Sequence, residues 1–365
     1  MLLIRPLVLG LAVLALPNPL AAQDSSALPS LSGAAAASDA PRRESPACRP
    51  FSLLDRDEPD ACSPFHLDGE GGDAAAQSEP VEASGYAAAI EAKKLQLLLA
   101  SLVSAGAMAG GAINAFTETP HQSFHFTNEG FFGRGTYAGG ADKASHFVDY
   151  TILSKELACL YDKMGFSQGD SIVLGFGVSV TTGLMNELGD GTNPYGFSWE
   201  DLMMDVLGAG TSAVIAAAGL EDLIGFRHGV LVPPAGTRYC CAEPRRGRDY
   251  SNEIYTADLQ LEGVGRRLDL NIGPLRYLLV SATYGTKGYP GAAPDARERQ
   301  IGLEIGLNFK AILNDLGARR NTWWGYTLHI VFDNFRFPYT SVGFRYDLNH
   351  DKWIGPDNGN GFATR

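Results

Sequence analysis

From Leu95 to Phe116 the chain runs for 22 residues without a charge. That is long enough to cross a bilayer as a helix, which takes about 20 apolar residues. Gln96, Ser101, Ser104 and Asn114 interrupt the run, and Gly106 and Gly110 stand in a G-x-x-x-G spacing. Small residues at that spacing let two helix backbones touch, in lipid or in a tight soluble bundle. Two readings stay open: a membrane span, and a buried helix packed through Gly106 and Gly110 against a second apolar helix.

Three more helical segments follow. Lys143 to Met164 reads as an amphipathic helix, whereas Ser171 to Leu188 and Leu202 to Leu220 are apolar nearly all round. A helix apolar on every face is buried in protein or in lipid. Ser167 followed by Asp170, and Ser198 followed by Asp201, fit the capping pattern ahead of an apolar run. Gly189 and Gly191 mark a helix stop, so the central region is expected to hold four helices.

After Gly225 the period changes from helical to twofold. Ala257 to Glu262 alternates strictly, and similar runs recur at Leu275 to Thr286, Gln300 to Ile312, Gly325 to Asp333 and Thr340 to Asp347, separated by Gly, Pro, Asn and Asp. In the last run Val342, Phe344 and Tyr346 share one face and Ser341, Gly343 and Arg345 the other. The expected fold class is therefore α+β, a small apolar helical bundle followed by an antiparallel β-sheet of about five or six strands. That is fewer than the eight or so strands of the smallest closed membrane barrel.

The N-terminus adds a location. Arg5 precedes an apolar run from Leu7 to Leu16, then a proline-marked break and the small pair Ala21 and Ala22. That order predicts a secretion signal over 1–22, cleaved near Ala22. Residues 23–84 are rich in Ala, Ser, Pro, Asp, Glu and Gly and are expected to be a disordered linker. The expected organisation continues with a helical domain over 85–225, a β domain over 226–350 and a tail over 351–365. A formal charge of -12 excludes the basic stripe that a nucleic-acid partner needs. Of the five cysteines, Cys48 and Cys62 could close a small loop, and Cys240 and Cys241 match no metal-ligand spacing.

Ionisable residues concentrate in three places where apolar ones would be expected. Asp142, Lys143 and His146 open one helix, Glu187 and Asp190 end the next, and Asp201 and Asp205 open the last. Asp142 and His146 are four apart, as are Asp201 and Asp205, so each pair shares a helix face. Asp142, Asp190 and Asp201 also suit capping and turn roles. Asp205 lies among Met203, Met204, Val206 and Leu207, and a carboxylate buried there needs a partner. His146 and Lys143 are the candidates, and His146 is expected to form a buried, mutually dependent pair with Asp205. A polar network that fixes helix register is one reading of this cluster, and a divalent metal held by His146, Glu187 and Asp205 is the other. No nucleophile elbow, P-loop or dinucleotide fingerprint is present in the sequence.

The run from Glu129 to Gly133, the run from Thr136 to Phe147, and the segments Glu187 to Gly191 and Ser198 to Gly208 together resemble the YfiM-like family of uncharacterised periplasmic lipoproteins, over roughly Asn128 to Leu220. A more distant likeness is to VanZ-like membrane proteins, with Asp190 standing where that family tends to show glutamine. The YfiM resemblance implies a periplasmic location associated with the cell envelope, at the outer rather than the inner membrane, and implies no activity. The first cysteine, Cys48, lies well beyond the signal, so the chain departs from the lipoprotein pattern. The functional expectation is a non-enzymatic envelope protein that associates with a membrane or lipid, with other envelope proteins as further partners and no cofactor. The alternative is a metal-assisted hydrolase acting on a lipid-linked or cell-wall substrate, with the five residues His146, Glu187, Asp190, Asp201 and Asp205 as ligands or acid/base groups.

Overall fold

The computed structural model describes residues 81–230, 250, 251, 253–289, 293–318, 320 and 322–357. The expected signal, residues 23–80 of the expected linker, and Cys48, Cys62, Cys240 and Cys241 lie outside the described residues. Cys159 is buried and disulfide-bonded.

The fold is α+β. In chain order the elements are α1 (Val81–Phe116), β1 (Phe126–Thr127), α2 (Ala141–Lys163), α3 (Gln168–Asp190), β2 (Phe197–Ser198), α4 (Trp199–Ala217), β3 (Ile224–Val230), β4 (Glu253–Gln260), α5 (Leu261–Arg267), β5 (Leu278–Lys287), β6 (Glu298–Leu307), α6 (Phe309–Asp315), α7 (Trp323–Asn334), β7 (Phe335–Arg336), β8 (Ser341–Asp347) and β9 (Lys352–Asp357). The four expected helices are α1 to α4. Both expected caps are present: Ser167 Oγ accepts from Asp170 N at 3.1 Å and Ser198 Oγ from Asp201 N at 3.2 Å. The helix α1 begins at Val81, inside the segment expected as linker, and β9 lies in the segment expected as a tail.

The helices pack through small residues, but not through Gly106. Gly106 faces open space, whereas a Cβ at Gly111 of α1 would stand 2.7 Å from the Thr182 carbonyl of α3. A Cβ at Gly175 of α3 would stand 2.7 Å from the Ser154 carbonyl of α2, and one at Gly208 of α4 would overlap the Phe147 carbonyl. Gly208→Ala is therefore expected to cost about 1–3 kcal/mol by overpacking, while Gly106→Ala holds or gains stability through helix propensity. Thermal unfolding of the purified variants checks this, and equal midpoints would contradict the packing.

The sheet has seven strands in the order β7-β3-β4-β5-β6-β8-β9, antiparallel throughout except for the parallel pair β3 and β7. The expectation of five or six antiparallel strands is corrected in three ways. β3, β7 and β9 were not anticipated, because β3 contains Gly225 and Gly229, β7 is two residues long, and neither β3 nor β9 alternates cleanly. Gly325 to Asp333 is helical, capped by Thr322 Oγ1 on Gly325 N at 3.2 Å. Its buried residues Tyr326, Ile330 and Asn334 are spaced by four, a helical period that a short window also allows to be read as alternation. Finally, Gln300 to Ile312 divides at Asn308, whose side chain caps α6.

The sheet curls. Arg336 of β7 donates to Glu304 of β6 at 2.9 and 3.0 Å, and Arg345 of β8 donates to the same carboxylate at 2.9 Å. β7 and β6 are four places apart in the strand order, about 19 Å in a flat sheet at the usual strand spacing. Only a curved sheet brings them together, with Arg227, Asp258, Ser281, Glu304, Arg336, Ser341 and Arg345 buried on its concave side. The convex side is mostly apolar, with His228 and Glu253 buried beneath α2. The helix α2 covers part of it: Ala141, Ala144, Val148 and Ile152 pack with Tyr255, Phe226 and Tyr284, and His228 meets Asp149 at 2.8 Å.

Candidate functional site

Two features stand out against this frame, a buried charged cluster where α2, α3 and α4 meet and an apolar exterior.

The cluster begins with a turn that only this local sequence allows. Ala138, Gly139 and Gly140 all have positive φ, and a Cβ at Gly140 would collide with Phe132. The chain thus swings directly into α2 with Asp142 and Lys143 in the first turn. The short parallel pair β1 and β2, with Phe126 opposite Phe197 and Thr127 opposite Ser198, holds the start of α4 beside it.

All seven residues expected from the sequence converge at these helix ends, and Glu129 and Tyr250 join them. Lys143 Nζ, fully buried, lies 2.9 Å from Asp142 Oδ2 and 2.6 Å from Asp201 Oδ1, and also bonds Glu129. Tyr250 donates to Asp142. His146, not Lys143, is the partner of Asp205: its Nδ1 meets Asp205 Oδ1 at 2.7 Å. His146 Nε2 points towards Asp201 and Asp142, 3.8 and 3.9 Å away, and its ring stacks on Tyr150. Glu187 accepts from Ser198 N at 3.0 Å and so ties α3 to the start of α4. Asp190 sits at the edge, bonded by Asn193 at 2.7 Å and Asn186 at 3.1 Å.

Burial and mutual repulsion shape the charges. Burial, with Asp142 and Asp201 adding to it, pushes the Glu129 carboxyl up to about 9 against the pull of Lys143. Burial alone would raise Asp142, but Lys143, His146 and the Tyr250 hydroxyl hold it below the usual carboxylate range. Burial alone would discharge His146, yet Asp201 and Asp205 outweigh it and raise the imidazole well above its ordinary value. Glu129 lies in a run that the sequence shows plainly, but its bond to Lys143 spans a loop that no local rule predicts. Tyr250 is 108 residues from Asp142 and carried no signal.

The exterior is the second feature. Along β8, Val342 and Phe344 are 60% and 55% exposed, while Ser341, Arg345 and Asp347 on the opposite face are 6%, 3% and 0% exposed. The cross-strand rows repeat this. Leu259, Val280, Ile305 and Val342 pair in one row on the convex side, and Ala257, Ala282, Leu303 and Phe344 in the next. The α1 segment Ile90–Ile113 is long and apolar enough to cross a membrane, and 6% of its apolar window is buried. Val173, Leu184 and Leu188 on α3, and Met203, Leu207 and Val214 on α4, are exposed as well.

Residues 128–217 match the family model DUF2279, described as a predicted periplasmic lipoprotein. The matched stretch contains the whole charged cluster except Tyr250. The match supports a periplasmic, envelope-associated protein of unknown molecular role. No curated protein and no solved structure matches the chain.

Proposed function

We propose that this protein is a non-enzymatic, membrane-embedded component of the outer envelope. The observation that carries the reading is the inverted sheet: its buried concave face holds arginines, carboxylates and hydroxyls, and its exposed convex face holds Leu303, Ile305, Val342 and Phe344. In water this arrangement is costly on both sides, since it exposes apolar surface and buries charge. Against acyl chains the cost of the exposed face disappears, and because the seven-stranded sheet is open, with edges that hydrocarbon would leave unpaired, this face lies on the bilayer rather than the sheet spanning it. The bare apolar length of Ile90–Ile113 supports a helix in the same bilayer. The match of residues 128–217 to a predicted periplasmic lipoprotein family agrees with the location. Burial of the carboxylates among three helices supports a structural network over hydrolysis of a large cell-wall substrate, which would need them open.

The test is carbonate extraction of membranes from cells producing the full chain, followed by flotation of the purified protein with phosphatidylethanolamine and phosphatidylglycerol vesicles. The full chain is expected to stay in the carbonate pellet and to float. Phe344→Arg should weaken insertion, because an arginine on a lipid-facing strand costs up to about 2–4 kcal/mol at the bilayer midplane. A chain that is soluble without detergent and does not float would sink the proposal. A soluble dimer closed over Leu303 and Phe344 would assign the apolar face to a second copy instead.

A further inference from the structure

The charged cluster has two halves with unequal charge. Lys143 serves Glu129, Asp142 and Asp201, which leaves the second half, Glu187 and Asp205, with His146 as its cationic group. Asp205 is fully buried, its Oδ1 meets His146, and its Oδ2 has no hydrogen-bond partner. That oxygen lies against Gly183, where a Cβ would displace it, one turn of α3 before Glu187. Glu187 uses Oε2 on Ser198 N, and its Oε1 receives a long 3.5 Å contact from Asn186. The structure therefore places an unsatisfied carboxylate oxygen and a weakly satisfied one beside one imidazole, each on a different helix.

The geometry points to a divalent-cation site formed by His146, Glu187 and Asp205. One ligand atom from each lies within 4.8 Å of the others. Ligands at about 2.0–2.2 Å from a tetrahedral zinc stand about 3.5 Å apart, so the side chains close on an ion by drawing together by up to about 1.3 Å. One nitrogen and two carboxylate oxygens suit zinc or manganese better than copper or a thiolate-seeking ion. An ion gives Asp205 Oδ2 the partner it lacks and offsets the excess of buried acid. It also clamps α2, α3 and α4 at the end where their caps meet. The site stands independently of the membrane reading, since it depends on the bundle interior alone.

The full chain, stripped with chelator and dialysed against zinc alone or manganese alone, is expected to take up one ion saturably, by elemental analysis. Glu187→Gln and Asp205→Asn should each weaken the affinity by more than roughly 100-fold, beyond the roughly 10–100-fold typical of a lost outer partner, while Glu118→Gln in an exposed turn leaves it unchanged. With cobalt alone the unsubstituted chain should show the visible spectrum of nitrogen and oxygen ligands. Absence of saturable uptake, or affinity unchanged in both variants, would overturn the site. So would a thiolate-to-cobalt band, which would place the ion on cysteine. If either variant fails to fold, the uptake and the cobalt spectrum of the unsubstituted chain decide the matter by themselves.

Discussion

Lys143→Met is expected to destabilise the protein by about 3–5 kcal/mol, the range for removing one partner of a buried ion pair. The side chain is fully buried and its ammonium lies 2.6 Å from Asp201 and 2.9 Å from Asp142. Methionine fills nearly the same volume, so the loss isolates charge rather than packing. Without the ammonium, Asp142 and Asp201 face each other across the start of α2 and α4 with only the His146 imidazole, 3.9 and 3.8 Å away, left as a cation. Adding Asp201→Asn to Lys143→Met should recover part of the loss, because it removes the stranded charge. Denaturant unfolding of the single and double variants measures both effects. A single-variant loss below about 1 kcal/mol would mean that the ammonium reaches water, as exposed pairs do.

The second large effect is expected at His146 and Asp205. His146→Ala and Asp205→Asn should each cost about 2–3 kcal/mol, since each leaves a buried polar group without the partner it holds at 2.7 Å. Because the two side chains are in contact, the double variant should cost less than the sum by about 1–2 kcal/mol. Additivity within about 0.5 kcal/mol would show that the two are energetically independent. That would remove the link between α2 and α4 on which the network and the cation site both rest.

The residues of the cluster were legible because they break a local rule. Asp205 among methionines and leucines, and His146 four residues after Asp142, are ionisable groups on faces that helical spacing assigns to the interior. The pairing of His146 with Asp205 was legible as well, because both sit on largely apolar helices where neither keeps its charge alone. The attachment of Lys143 to Glu129, Asp142 and Asp201 was not, since it depends on how the starts of α2 and α4 meet. The packing glycines were legible as a kind but not by position. Gly106 and Gly110 have the spacing, yet Gly111 makes the close approach, because contact depends on the rotation of α1 about its axis against α3.

By itself the sequence determined the local elements: four helices, two of them with serine caps, the α+β order, and the two faces of β8. These rest on interactions within a few residues, which periodicity and capping report directly. Tertiary structure decided which face of the sheet lies inside. Alternation divides Ser341, Gly343 and Arg345 from Val342 and Phe344, but either set could face a core, and intuition from soluble sheets assigns it to the apolar set. The polar set lies inside because Glu304 is bonded at once by Arg336 from the sheet edge and by Arg345 from the neighbouring strand. Those contacts exist only after the sheet has curled, and a pattern read along one strand carries no information about them.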